Sequence, residues 1–276
     1  MPPNAYVRVA PERFDIRYLL RVMRVVAAAE FKVKYADSAL GYVWTIAKPL
    51  AWLAVLYVVF GRFFKLRATF ENYSVYLLVG LVLWVFFIDA TNLSLESFVH
   101  RASVLRRLAV PRVVVPLSSA LTTTLTLAVN ALALLIVMAI VGIEPRGSWL
   151  LVPFPVAELI VFTGAVALFL ATVFVRARDA GPIWEIFGQF LFFATPIIYP
   201  TGFLPGWAQK VAFANPLVQS MQDVRWLLAP EPEIATAADV YGSTWGYALP
   251  LATLLLVIVA TSAVYRREAP YLAERA

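Results

Sequence analysis

The sequence predicts an all-α integral membrane protein with six transmembrane helices. Three observations carry that prediction. Hydrophobic residues make up 62% of the 276 and charged residues 14%, where a soluble domain runs at roughly 45–50% and about 25%. The mean hydropathy is +0.78. The apolar residues also gather into runs of the roughly 20 residues that cross a bilayer core of about 30 Å as a helix. A soluble enzyme, a nucleic-acid-binding module and a disordered chain are excluded by this composition. The net charge of +6 reads as a marker of the cytoplasmic side of a membrane rather than as a nucleic-acid footprint.

Residues 12–34 come first and differ in kind from the rest of the chain. Arg13, Arg17, Arg21 and Arg24 recur at spacings of four, four and three, so they share one helical face. Ile16, Leu19, Val22, Met23 and Val26 lie opposite. This is an amphipathic helix, too charged to span and suited to the cytoplasmic interface; a solvated basic helix would carry the same pattern. The expected spans are 44–64, 76–97, 113–141, 149–175, 182–199 and 245–265. Between the last two, residues 202–228 are apolar but interrupted by Pro205, Lys210, Pro216, Asp223 and Arg225. They read as a re-entrant or interfacial hairpin at the outer face, packed on protein because irregular backbone cannot face lipid. The whole chain, 1–276, reads as one membrane domain.

Orientation follows from the basic residues. With the N-terminus inside, the segments 1–43, 99–112, 176–181 and 266–276 hold sixteen Lys and Arg, and the opposite loops hold six. Both termini are therefore expected in the cytoplasm of a multi-pass plasma-membrane protein. Residues 1–15 lack the apolar run of a signal peptide, so the first span is expected to serve as the insertion signal.

The absent chemistry is as informative. With no cysteine and a single histidine, His100, thiolate catalysis, disulfides and multi-imidazole metal sites are excluded. None of the twelve glycines precedes a lysine, so the phosphate loop G-x-x-x-x-G-K-[ST] is missing. No catalytic, cofactor or metal site is expected in this chain, and any ATP-driven motor must be another polypeptide.

The polar groups inside the apolar runs are few. A charge at mid-bilayer costs at least about 2.5–3.5 kcal/mol, so it usually faces a bundle interior or water. Lys48 sits near the start of the first span, from which it can snorkel. Asp89, Asn92 and Glu96 stand at i, i+3 and i+7; this polar stripe either lines a water-filled passage or bonds a neighbouring helix. Glu158 reads as paired to another helix. Among the aromatics, Tyr42, Trp44, Trp149, Trp245 and Tyr265 fall near span ends, as an interfacial belt does. Trp52, Tyr57, Trp84, Phe86, Phe87, Phe190, Phe192 and Phe193 lie deeper. Such rings can stack on the apolar face of a sugar without fixing it, or can simply pack helices. Loop 99–112 is short and basic, with Leu105, Leu108 and Val110, and it is closed by Pro111-Arg112. It reads as a docking segment for a soluble partner or as a plain cytoplasmic loop.

In this order, several motifs resemble the membrane subunits of polysaccharide ABC exporters, the type-2 permeases for O-antigen, teichoic acid and related lipid-linked glycans. Lys34-Tyr35-Ala36-Asp37-Ser38-Ala39-Leu40-Gly41-Tyr42-Val43-Trp44, followed by Lys48-Pro49, is similar to the family pattern (K/R)-Y-x-x-S-x-L-G-x-x-W with a proline in the first span. Pro111-Arg112, Arg178-Asp179, Thr195-Pro196-Ile197-Ile198-Tyr199-Pro200, and Leu204-Pro205 with Asn215-Pro216 match in register. Ala177 replaces the phenylalanine that often precedes Arg178-Asp179.

The resemblance implies the type-2 ABC exporter fold, a homodimer, and two copies of a cytoplasmic ATPase that binds ATP and Mg2+. It implies ATPase coupling through Arg101, Leu105, Arg106, Arg107 and Arg112, with Arg17, Arg21 and Arg24 of the interface helix. It implies a conduit for a polyprenyl-diphosphate-linked glycan, with Trp44, Trp52, Tyr57, Trp84, Phe87, Phe190, Phe193 and Tyr199 as candidate lining. The excess of Arg over Lys and the tail from Asp239 onward look like actinobacterial members, which narrows the expected cargo to a cell-wall galactan. Two alternatives stand beside this reading. One is a type-2 permease for a small molecule or lipid, disfavoured by the aromatic content and the first motif. The other is a membrane-embedded glycosyl- or phosphotransferase, which would need a carboxylate or metal cluster that the sequence does not display.

Overall fold

The computed structural model describes residues 16–36, 43–100 and 112–269. Among them the secondary structure is helical throughout. The helices are α1 (Ile16–Ala36), α2 (Val43–Leu56), α3 (Tyr73–Leu95), α4 (Ser97–His100), α5 (Val114–Val141), α6 (Pro153–Arg176), α7 (Ala180–Ala194), α8 (Gly206–Phe213), α9 (Pro216–Leu228), α10 (Ala237–Tyr241) and α11 (Ala248–Glu268).

Five stretches of the described chain are long and apolar enough to cross a membrane: Val43–Phe63, Tyr73–Leu95, Val114–Val141, Gly147–Arg176 and Thr244–Glu268. They correspond to five of the six expected spans, with ends shifted by at most three residues. The chain is an integral membrane protein. The first of these stretches changes character along its length. Pro49 lies inside α2 and withholds one helical hydrogen bond. Beyond Leu56 the helix widens into a π-helix, Tyr57–Phe63, in which bonds run to the fifth residue back; Phe64 N accordingly donates to Val59 O at 3.2 Å.

The span expected at 182–199 is helical only over its first part and is not among these five stretches. Helix α7 has 15 residues and ends at Ala194, which makes it about 22 Å long at 1.5 Å per residue, short of the roughly 30 Å hydrocarbon core. The cause is Pro196. A proline pushes the residue before it out of the helical region, and Thr195 is extended at φ −84°, ψ 133°. Residues 195–200 continue as irregular chain.

Helix α3 is the centre of the bundle. It packs most extensively on α5 and α6, and Leu77, Leu78 and Ala90 are fully buried along its length. Helix α1 does not stand free. Ala27 is 1% exposed, and Thr122 Oγ1 of α5 donates to Glu30 Oε2 at 2.8 Å. Arg17, Arg21 and Arg24 are exposed on its outer face, and Leu19, Val22, Met23 and Val26 are half-buried on the inner one. Arg176 at the end of α6 pairs with Glu268 at the end of α11 at 3.1 Å.

The segment expected as a hairpin folds as two helices, α8 and α9, joined at Ala214-Asn215. The Asn215 side chain accepts from Leu217 N at 3.0 Å and Pro216 takes the first helical position, the usual start signals of a helix. At the other end of α9, Ser148 Oγ donates to Leu227 O at 2.8 Å and Trp149 Nε1 to Leu228 O at 3.0 Å, which satisfies carbonyls that a helix terminus leaves open.

Candidate functional site: an aromatic groove between three helices

Helices α2, α3 and α7 enclose a groove of about 560 Å³. Chain direction orders its walls, since α3 runs antiparallel to α2. Lys48, Asp89, Asn92 and Glu185 lie together at the end formed by the start of α2, the end of α3 and the start of α7. Trp52, Trp84, Gln189, Phe192 and Phe193 form the middle, and Phe60, Leu81 and Ile198 the far end. The groove is thus polar at one end and aromatic through its length. Gly188 explains how α7 comes so close to α3: a Cβ there would meet Ile88 Cδ1 at 2.9 Å.

The aromatic walls are mutually braced. The Trp84 and Phe192 rings meet edge-on with centroids 5.5 Å apart, and Phe192 meets Phe193 at 5.3 Å. Both arrangements are favoured by ring quadrupoles. At the polar end Lys48 Nζ stands 3.9 Å from Asp89 Oδ1, with the two side chains 58% and 29% exposed. Two carboxylates, one ammonium and the Asn92 amide converge there, with the Gln189 amide one turn further along α7. That set offers hydrogen bonds to a hydroxyl-rich ligand. Among the described residues no group of three or more His, Cys, Asp and Glu is placed to hold a metal ion.

The far end of the groove is built on the irregular chain after α7, and its carbonyls are held by side chains. Arg225 of α9 donates from Nη1 to Pro196 O at 2.7 Å, from Nη2 to Ile197 O at 2.8 Å and from Nε to Tyr76 O at 3.0 Å. Tyr73 OH donates to Ile198 O at 2.9 Å. Tyr76 OH reaches both Pro196 O at 3.2 Å and Tyr199 O at 2.8 Å. Every carbonyl from Pro196 to Tyr199 therefore has a side-chain donor, which answers the demand of a low-dielectric setting for satisfied backbone. Arg225 is 1% exposed and its guanidinium carbon lies 3.5 Å from the Tyr76 ring centroid. A buried cation is tolerable only when so fully bonded.

Among the candidate lining residues, Trp52, Trp84 and Phe193 come together in the groove, with Asp89 and Asn92 of the polar stripe. The others lie elsewhere. Phe87 is 2% exposed and stacks on Phe162 at 6.0 Å behind α3, so it is a packing residue. Tyr57 stacks on Tyr73 with centroids 6.0 Å apart. Phe190 is 71% exposed on the outer face of α7, and Trp44 is 55% exposed near the start of α2. Tyr199 caps the end of α7, donating to Phe193 O at 2.8 Å. Glu96 ends α3 outside the groove. Sequence reasoning misses Glu185 and Gln189; their spacing of four within an apolar helix is the signal that points to them. Of the candidate coupling residues, Arg101, Leu105, Arg106 and Arg107 lie outside the described residues. Arg112 donates to Ala269 O, tying the end of that loop to the end of α11.

The described residues thus set apolar, membrane-crossing helices around a groove with an aromatic lining. The sequence profile of the ABC-2 type transporter family matches residues 21–228, and the chain belongs to that family. Among curated proteins it is similar to two O-antigen export system permease proteins RfbA of Klebsiella pneumoniae. One is 28% identical over 206 residues, covering 74% of this chain and 79% of the relative. The other is 27% identical over 216 residues, covering 78% and 83%. A protein of the same name from Myxococcus xanthus is 27% identical over 261 residues, covering 94% of this chain and 92% of the relative.

Proposed function

We propose that this chain is the pore-forming permease subunit of an ATP-driven exporter of a lipid-linked polysaccharide. The observation that carries the reading is the groove. Its rings can stack on successive sugar units with little hydrogen-bonded fixation, which suits a polymer that must slide, and the polar end can meet hydroxyls on entry. The names of the relatives point the same way. The chain works as a homodimer with two copies of an ATPase that supplies ATP and Mg2+ chemistry. The apolar flanks of the groove, exposed at Trp44, Val55 and Val58 on the first span and at Ile183, Ile186 and Phe190 on α7, are suited to meet a second copy and close a conduit. Both termini face the cytoplasm and α8–α9 re-enters at the outer mouth, where α7 with residues 195–199 completes a sixth crossing. The finer cargo is a cell-wall galactan on a polyprenyl diphosphate, supported by the Arg-rich composition and the tail from Asp239.

The test is depletion of the chain and measurement of lipid-linked glycans on each side of the membrane. Full-length polymer accumulating on the cytoplasmic side is the expected result. Build-up of a short precursor instead would indicate an enzyme, and unchanged glycans a small-molecule permease.

A further inference from the structure

We infer that Arg225 is a positioning residue for the groove: it clasps the unwound chain 195–199 to α3 and so fixes where Ile198 closes the groove's far end. The functional consequence rests on the groove being the export route proposed above; the mechanical claim rests on geometry alone.

Three facts converge. First, the chain at 195–199 has no helical ladder of its own, so its position is set by whatever holds its carbonyls. Second, the holders come from two separate elements. Tyr73 and Tyr76 stand on α3, a wall of the groove, whereas Arg225 stands on α9, which contributes no lining residue. Among the described residues Arg225 joins all three parts, because its fork bonds Tyr76 O of α3 as well as Pro196 O and Ile197 O. Third, the bonded residues adjoin groove residues. Ile197 precedes Ile198, and both Ile198 and Leu81 of α3 line the far end. A movement of α9 is thereby transmitted to the groove wall without any contact between α9 and the cargo. The planar guanidinium is suited to this because it offers donors in fixed divergent directions, which a lysine ammonium cannot copy.

The chain has no native cysteine, so single reporters can be read cleanly. The experiment uses the full-length chain in membranes together with its ATPase. Ile198→Cys reports on the far end of the groove, and Leu159→Cys, at a fully buried position of α6, reports on general unfolding. Labelling by a membrane-impermeant thiol reagent is measured in three backgrounds: native, Arg225→Lys, and the milder Tyr73→Phe, which removes only the bond to Ile198 O. The expected result is a rise of about tenfold or more in labelling at Ile198→Cys in Arg225→Lys, the scale of population change that accompanies loss of buried hydrogen bonds to a charged group. Tyr73→Phe gives a smaller rise, and Leu159→Cys stays unreactive. Unchanged labelling at Ile198→Cys in both variants overturns the inference, as does an equal rise at Leu159→Cys. Should Arg225→Lys fail to reach the membrane, the Tyr73→Phe arm decides by itself. Export is measured in the same cells. If labelling rises while export stays native, the clasp stands and the groove as route falls; if export drops while labelling stays native, the clasp falls.

Discussion

Gly80 and Arg225 share one space. A Cβ on Gly80 would overlap Arg225 Nη2 and would meet Ile197 Cγ2 and Ile197 O at 3.2 Å each. The glycine in the middle of α3 is therefore the seat of the guanidinium. Gly80→Ala is expected to destabilise the protein by about 1–3 kcal/mol, the usual range for an overpacked core. The loss would appear as a lower midpoint in thermal unfolding of the detergent-purified protein. An unchanged midpoint would mean that the fork can shift without penalty.

The groove separates the aromatic residues that line it from those that pack the bundle. Trp52→Ala and Phe193→Ala should slow polymer export while leaving the amount of membrane-inserted protein unchanged, because each ring is about half or more exposed and faces the groove. Phe87→Ala should do the opposite. It removes a core ring, with an expected loss of about 3–5 kcal/mol, and should lower the amount of folded protein in the membrane. Equal effects of all three on protein level would dissolve the distinction.

Lys48 and Asp89 face one another across the polar end. A partly exposed pair of this kind contributes at most about 1 kcal/mol in water, so its charges matter more for the groove's field than for folding. Charge reversal at either residue alone should impair export, and the swap Lys48→Asp with Asp89→Lys should restore it at least in part. Lack of rescue in an export assay would show that the two residues act separately.

The basic loop carries a prediction from sequence alone. Arg106→Glu together with Arg107→Glu should cut export severalfold and weaken co-purification of the ATPase, with insertion unaffected. Native export in the double variant would remove the coupling role from this loop.

Legibility in the sequence divides along physical lines. Five spans are readable because length and hydropathy are local properties. The basic face of α1 is readable because three or four charges at helical spacing are also local, and Arg17, Arg21 and Arg24 do lie exposed together. The face of α3 is not readable. From Leu77 to Ile88 it is apolar on every side, so nothing within that stretch tells Trp84, which lines the groove, from Phe87, which packs behind it. The end of α7 is legible in principle, since Pro196 is a standard helix stop, yet the apolar run continues through Tyr199 and so suggests a full-length span. Arg225 shows in the sequence only as an interruption of an apolar stretch. Its partners lie 28 to 149 residues away in the chain, and no local pattern announces a bond at that separation.

The junction after α7 also has an evolutionary consequence. A helical ladder is backbone to backbone, so short of introducing proline or glycine a single side-chain change does little to loosen it. Here the five hydrogen bonds that hold residues 196–199 come from three side chains. Removing the Tyr73 hydroxyl deletes one bond, removing the Tyr76 hydroxyl deletes two, and replacing Arg225 deletes two more. The stiffness of this corner is therefore heritable in single steps, and a lineage that acquires a bulkier cargo can retune it by point substitution without redesigning a helix.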